Sequence, residues 1–146
     1  MTRLKLHTIP SLGLGGLAAE LALTRHWQKW SQGLVWVFVL GLAVALWLVR
    51  PSAPAGAEHR RRAVWLAALA ALGSLSGVLL HVWGNLEAGP LDRVHGKGWE
   101  AMAWPAKLWL ALTMRVGPAP ALASGALLLL AALVWVLAVE DSSRKA

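Results

Sequence analysis

The chain has 146 residues, which is room for one domain, and 58% of them are hydrophobic, with ten Trp, one Phe and no Tyr. It contains no cysteine, which excludes disulfides, thiolate zinc sites, iron–sulfur ligation and cysteine nucleophiles. The formal net charge is +7. Because the basic residues flank apolar stretches and no nucleic-acid motif accompanies them, they suit anionic lipid headgroups and exclude nucleic acid as the expected partner.

Four apolar stretches, at residues 9–24, 33–50, 63–83 and 120–139, predict transmembrane helices, since a bilayer is crossed by about 20 apolar residues. The first stretch carries Glu20 and could also be a signal peptide. An uncleaved helix is favoured because Glu20 stands where a small cleavage-site residue would be needed. We therefore predict an all-α, multi-pass transmembrane four-helix bundle that forms a single domain over residues 1–146.

The distribution of basic residues predicts the orientation of this bundle. The run Arg60–Arg62 lies directly before the third helix, where the positive-inside rule has most weight. Both termini and this run are therefore expected in the cytoplasm, with the chain in a bacterial inner membrane. Trp lies mostly at the helix ends and more on the outer side, as in an interfacial aromatic belt. A ligand or pigment pocket lined by Trp is the alternative.

The connection at residues 84–119 is long and has internal order. Gly89-Pro90 is a turn signal, and Pro105 suits the first turn of a helix. A short amphipathic helix is therefore predicted in the outer interface, between helices three and four. Its apolar face contains Leu108, Trp109 and Leu112. The helix is predicted to end before Gly117, Pro118 and Pro120.

A polar cluster follows the third helix. His81 and Asn85 are four residues apart and share a face if the helix continues, and Glu87 follows. His81, Asn85 and Glu87 are candidates to hold a metal, a haem or a quinone, and His26 or His95 could join His81 as a metal ligand. The alternative is structural: His81 hydrogen-bonds a neighbouring helix or loop, and Asn85 and Glu87 cap turns. The cofactor itself is unknown.

Glu20 is a separate candidate, because ionisable groups within membrane helices are functional suspects. It could serve as a proton or ion ligand that faces His81 across the bundle. Alternatively, it is an interfacial carboxylate paired with Arg25 or Arg115.

The segment from His81 to Glu87, together with Pro120-Ala-Leu-Ala-Ser-Gly125, resembles a family of small, uncharacterised bacterial membrane proteins. Those proteins have four hydrophobic stretches, a His…Gly-Asn-x-Glu string after the third, and Pro-Ala-Leu-Ala-Pro-Gly before the fourth. Ser124 stands here where that pattern has Pro. The resemblance covers the second half of the chain, supports four helices, and implies no activity.

No catalytic constellation is visible in the sequence, so we expect a protein that is not an enzyme. The leading hypothesis is an accessory or scaffold subunit of a bacterial membrane complex, whose partners are the bilayer and other membrane subunits or further copies of the chain. Gly73 and Gly77 would allow close helix packing. The alternatives are a cofactor-binding membrane protein and a small oligomeric transporter or channel.

Overall fold

A computed structural model describes residues 3–52, 56–113, 115–117 and 124–143. In this part of the chain there are five α-helices and no strand, so the predicted all-α class is confirmed. Two short 3-10 turns, at Gly89–Leu91 and Gly96–Gly98, lie between the third and fourth helices. The helices are α1 Arg3–Leu23, α2 Trp30–Leu48, α3 Ala57–Ala88, α4 Trp104–Leu112 and α5 Ser124–Ser143.

Helix α3 is longer at both ends than the predicted stretch at residues 63–83. At its start, the Glu58 carboxylate pairs with Arg61 and Arg62, each at 2.8 Å. An acidic side chain in the first turn also suits the positive end of the helix dipole, so the charged residues extend the helix. At its other end, Trp83 Nε1 donates to Glu87 Oε1 at 2.8 Å across one turn.

Helix α1 begins at Arg3, six residues before the predicted stretch, and contains Pro10. A proline in a helix interior removes one backbone donor. The side chains around it supply local polar contacts: Ser11 Oγ donates to the His7 carbonyl at 2.8 Å. Pro10 itself is buried.

The chain divides into two compact units, Met1–Ser74 with Ala126–Ala146, and Leu75–Gly125. The prediction of a single domain stays a prediction. In the first unit, each helix buries a narrow stripe at helical spacing, with Leu14 on α1 and small residues on α3. The buried residues are Val39, Leu42, Ala45, Leu46 and Leu48 of α2 with Val49 directly after it; Ala63, Ala67 and Ala70 of α3; and Leu127, Leu130, Ala131, Val134, Leu137 and Ala138 of α5.

Small residues bring the helices of the first unit close together. A Cβ atom at Gly13 would lie 2.7 Å from Leu130 Cδ2, and one at Gly73 would overlap the Phe38 ring. Glycine at these two positions therefore makes room for a large side chain of another helix, as in membrane helix packing.

The second unit contains the end of α3, the two 3-10 turns and α4. Val82 of α3 and Ala111 of α4 are the buried residues of one apolar cluster. The apolar residues packed around them are Val78, Leu86, Leu108 and Leu112. Since residues 78, 82 and 86 repeat every four positions, α4 covers one face of the last turns of α3.

Among the described residues, two helical segments are long and apolar enough to cross a membrane. They are Leu6–Leu23, with a mean hydropathy of 1.2, and Ala57–Leu91, which contains an 18-residue window with a mean hydropathy of 2.0. Gln32–Leu48 and Ser124–Glu140 are apolar but shorter. The predicted arrangement of four crossing helices stays a prediction.

Candidate functional site

Asn85 is the most deeply buried polar residue of the predicted cluster, with no exposed surface. Its Nδ2 donates to the Ala111 carbonyl at 2.9 Å. Ala111 lies in the last turn of α4, where carbonyls lack a donor from a following turn. Asn85 therefore ties the end of α4 to α3, and this bond satisfies a buried amide as burial requires.

Gly117 completes this arrangement. It has a φ of +76°, a conformation that side-chain-bearing residues rarely adopt. A Cβ atom at this position would also overlap Asn85. The chain can therefore pass over the Asn85 amide only because residue 117 is a glycine. From the sequence, Gly117 was predicted to end a helix, and its contact with Asn85 was not predicted.

His81 lies on α3 one turn before Asn85 and is half-buried. Because α3 continues to Ala88, both residues belong to one helix, and their spacing of four places them on the same face. His81 has an interaction partner in the structure. Its proposed role as a ligand stays a prediction.

Glu87 is exposed at the end of α3, and its carboxylate accepts the indole N–H of Trp83. The contact runs along the helix surface between residues four apart. Glu87 thus has a local role in the last turn of α3, beside the predicted role in a cofactor site.

The Asp92 carboxylate organises the turn that follows α3. One of its oxygens accepts the backbone N–H of Val94 at 3.0 Å and that of His95 at 2.8 Å, and it lies 2.9 Å from His95 Nδ1. The backbone and side-chain hydrogen bonds from His95 hold the pKa of Asp92 below its ordinary value of 3.8. His95, a predicted metal ligand, is thereby engaged in this turn.

Trp99 packs into the same unit and is almost fully buried. A Cβ atom at Gly89 would overlap the Trp99 indole, so the glycine allows the ring to lie directly on the backbone. Lys107 Nζ lies 5.6 Å from the centre of the Trp99 ring, within the range of a cation–π interaction. Trp99 therefore joins the turns to α4.

The remaining predicted residues lie in the first unit. His26 follows α1, and its backbone carbonyl accepts Trp36 Nε1 at 2.9 Å. Glu20 is exposed on α1, and its carbonyl accepts the N–H of Thr24 at 2.9 Å. In the part of the chain that the structure describes, no three His, Cys, Asp or Glu side chains are grouped closely enough to hold a metal ion.

His7 makes a further contact that was not predicted from the sequence. His7 Nε2 lies 3.0 Å from the Leu46 carbonyl, in the last turn of α2, so the ring can donate to a carbonyl that the helix leaves without a partner. Ser11 Oγ lies 3.3 Å from the other ring nitrogen. The pair His7 and Ser11, four residues apart in an apolar segment, was the available signal, but the predicted helix began after His7.

Two arrangements of Trp resemble interfacial anchors. Arg50 stacks over the Trp47 ring at 4.3 Å and donates to the Trp47 carbonyl at 2.7 Å. Near the other end of α2, the rings of Trp27 and Trp36 lie 6.1 Å apart. Aromatic and basic residues at helix ends are typical of the membrane–water boundary.

Comparisons with protein-family models, curated proteins and solved structures give no match for this chain. The geometry alone therefore carries the functional argument. In the second unit, the polar side chains of Asn85, Glu87 and Asp92 all make contacts that fix the local structure.

Proposed function

We propose that the protein is a multi-pass membrane protein of a bacterial inner membrane, in which α1, α2, α3 and α5 cross the bilayer. Helix α4 and the turns before it form a cap on the outer side, and both termini are cytoplasmic. The chain acts as an accessory or scaffold subunit, with other membrane subunits or with further copies of itself.

The observation that carries the proposal is the amount of large apolar side chain exposed on the helices. In a water-soluble protein of this size, contiguous apolar surface is rare, whereas lipid is an apolar solvent for such surface. The exposed residues on the four long helices include Leu12, Leu23, Leu40, Leu69, Leu72, Leu79, Leu80 and Leu129.

The narrowness of the buried stripes supports the same reading. Only 11% of the segment Leu6–Leu23 is buried, and only 22% of the most apolar 18-residue window within Ala57–Leu91. The buried positions are rich in Ala and are approached by Gly13 and Gly73. Helices in membranes associate through such small residues because there is no hydrophobic force between them.

The cap favours a scaffold role over chemistry. Asn85, Asp92 and Trp99 hold α3, the turns and α4 together, and the outer surface of α4 presents Trp104 and Trp109. A small, internally fixed unit with exposed aromatic rings is suited to contact a neighbouring apolar surface.

The test is purification of the tagged chain from its native membranes in a mild detergent, followed by native mass spectrometry. The proposal expects a defined complex with another membrane subunit or a defined homo-oligomer. A test variant replaces the two exposed rings of α4, as Trp104→Ala and Trp109→Ala. This variant should associate more weakly while its helical content is unchanged. A stable lone monomer from the unmodified chain would contradict the scaffold role.

A further inference from the structure

The turn after α3 presents two large apolar side chains to the outside. Leu91 is 86% exposed and Val94 is 81% exposed, although both lie within a compact unit whose core contains Val82 and Ala111. We refer to residues Leu91–Val94 as the tip. Such exposure of neighbouring Leu and Val side chains indicates a contact surface.

The tip is held in this conformation by its own backbone. Asp92 N donates to the Gly89 carbonyl at 3.1 Å, and Gly96 N donates to the Asp92 carbonyl at 2.9 Å. The Asp92 carboxylate accepts the N–H groups of Val94 and His95. These bonds fix the backbone on both sides of Leu91 and Val94. The tip is therefore already ordered before it binds, and binding costs little backbone conformational entropy.

The exposed charges nearest to the tip in the chain are basic, and the exposed carboxylates Glu87 and Glu100 lie further away on either side. Arg93 lies between Leu91 and Val94 in the chain, and Lys97 follows within the second 3-10 turn. The one acidic residue of the tip, Asp92, already accepts the hydrogen bonds of the turn. Apolar side chains flanked by exposed basic groups match the boundary between phosphate headgroups and acyl chains.

The position of the tip along the chain also places it near the lipid headgroups. The stretch from Ala63 to Leu86 contains no Asp, Glu, Lys or Arg and is longer than the about 20 residues that a bilayer requires. Glu87 therefore comes at the edge of the hydrocarbon, and the tip follows a few residues later, at the depth of the headgroups. This step rests on the proposed membrane location of α3.

We propose that the tip docks on the outer headgroup layer of the bilayer, with Leu91 and Val94 against the acyl boundary and with Arg93 and Lys97 on phosphates of anionic lipids. The tip thereby anchors the cap to the membrane beside the end of α3. The recognised chemistry is an anionic phospholipid surface.

The absence of native cysteine allows a direct test with a single label. Val94→Cys is labelled with a polarity-sensitive fluorophore, and the full-length chain is placed in nanodiscs of phosphatidylglycerol and phosphatidylcholine. We expect blue-shifted emission and several-fold weaker quenching by aqueous iodide than for the same label at Glu100→Cys, an exposed position of the same unit. Adding Arg93→Gln and Lys97→Gln, or using phosphatidylcholine alone, should restore quenching.

Two results would overturn the proposal. If label at Val94→Cys is quenched as strongly as label at Glu100→Cys in the anionic nanodiscs, the tip lies in water and is a surface for a protein. If protection is the same in neutral nanodiscs, anionic headgroups are not what the tip binds. Carbonate extraction of the same variant separates these failures from failure of the membrane location, because an extracted chain would contradict the proposed function itself.

Discussion

At the scale of residues, single glycines allow close packing in the second unit. Gly89 and Gly117 both lie against a large or polar side chain, Trp99 and Asn85 respectively. Gly84, on the same helix as Asn85, faces open space. The three positions therefore separate glycine that is needed for close approach from glycine that merely lowers helix stability.

Gly117→Ala should destabilise the protein by more than about 1 kcal/mol, because alanine is strained at positive φ and its Cβ would displace Asn85. The matched control is Gly84→Ala, which should stabilise α3 by about 0.5–1 kcal/mol through helix propensity. Thermal unfolding in mild detergent, followed by Trp fluorescence, measures both. Equal shifts for the two variants would contradict this account of Gly117.

Asp92 gives a prediction about pH. Hydrogen bonds from His95 lower its pKa in the folded state below 3.8, so its contribution to stability is fully present above that ordinary value. The contribution is lost as the pH falls through the lowered pKa. The unmodified protein should therefore be more stable than Asp92→Asn near neutral pH, and this difference should disappear in acid. A carboxyl NMR titration that places the pKa of Asp92 at or above 3.8 would contradict the assignment.

At the scale of elements, helices α3 and α4 show how far sequence patterns reach. Pro105 and the apolar spacing that follows it predicted a helix, and α4 occupies Trp104–Leu112 with Pro105 in its first turn. Helix α3 extends beyond the apolar stretch predicted at residues 63–83 at both ends, because charged and polar residues continue the helix outside that stretch. The ion pairs of Glu58 with Arg61 and Arg62 continue the helix at its start.

Only part of the arrangement around His81 and Asn85 could be predicted from the sequence. The spacing of His81 and Asn85 follows from helix geometry and needs no knowledge of the fold. The partner of Asn85 is Ala111, 26 residues further along the chain. No local pattern marks a backbone carbonyl as a partner, so this contact, like that of His7 with Leu46, depends on tertiary packing that the sequence does not display.

Asn85→Leu tests the link between these two helices. Leucine keeps the apolar volume but leaves the buried Ala111 carbonyl without the Asn85 donor, which should destabilise the protein by about 1–3 kcal/mol. Glu87→Gln is the control, since the Gln oxygen can still accept from Trp83, and it should have little effect. Hydrogen exchange of the α4 amides should increase in Asn85→Leu alone. Unchanged protection of α4 would show that other contacts hold this helix.

At the scale of the whole molecule, the proposed orientation unites the basic run Arg60–Arg62, the exposed apolar helices and the cap. Ser52 belongs to the connection between α2 and α3, and Glu100 belongs to the cap; both are exposed. If α3 crosses the membrane, these residues lie on opposite sides. This crossing is the claim on which the scaffold role and the docking of the tip both depend.

The measurement that tests it most directly is cysteine labelling in spheroplasts with a membrane-impermeant maleimide, using the cysteine-free chain as background. The account predicts that Glu100→Cys is labelled in intact spheroplasts and that Ser52→Cys is labelled only after lysis. Labelling of both positions before lysis, or of neither, would contradict a membrane-crossing α3 with its cap on the outer side.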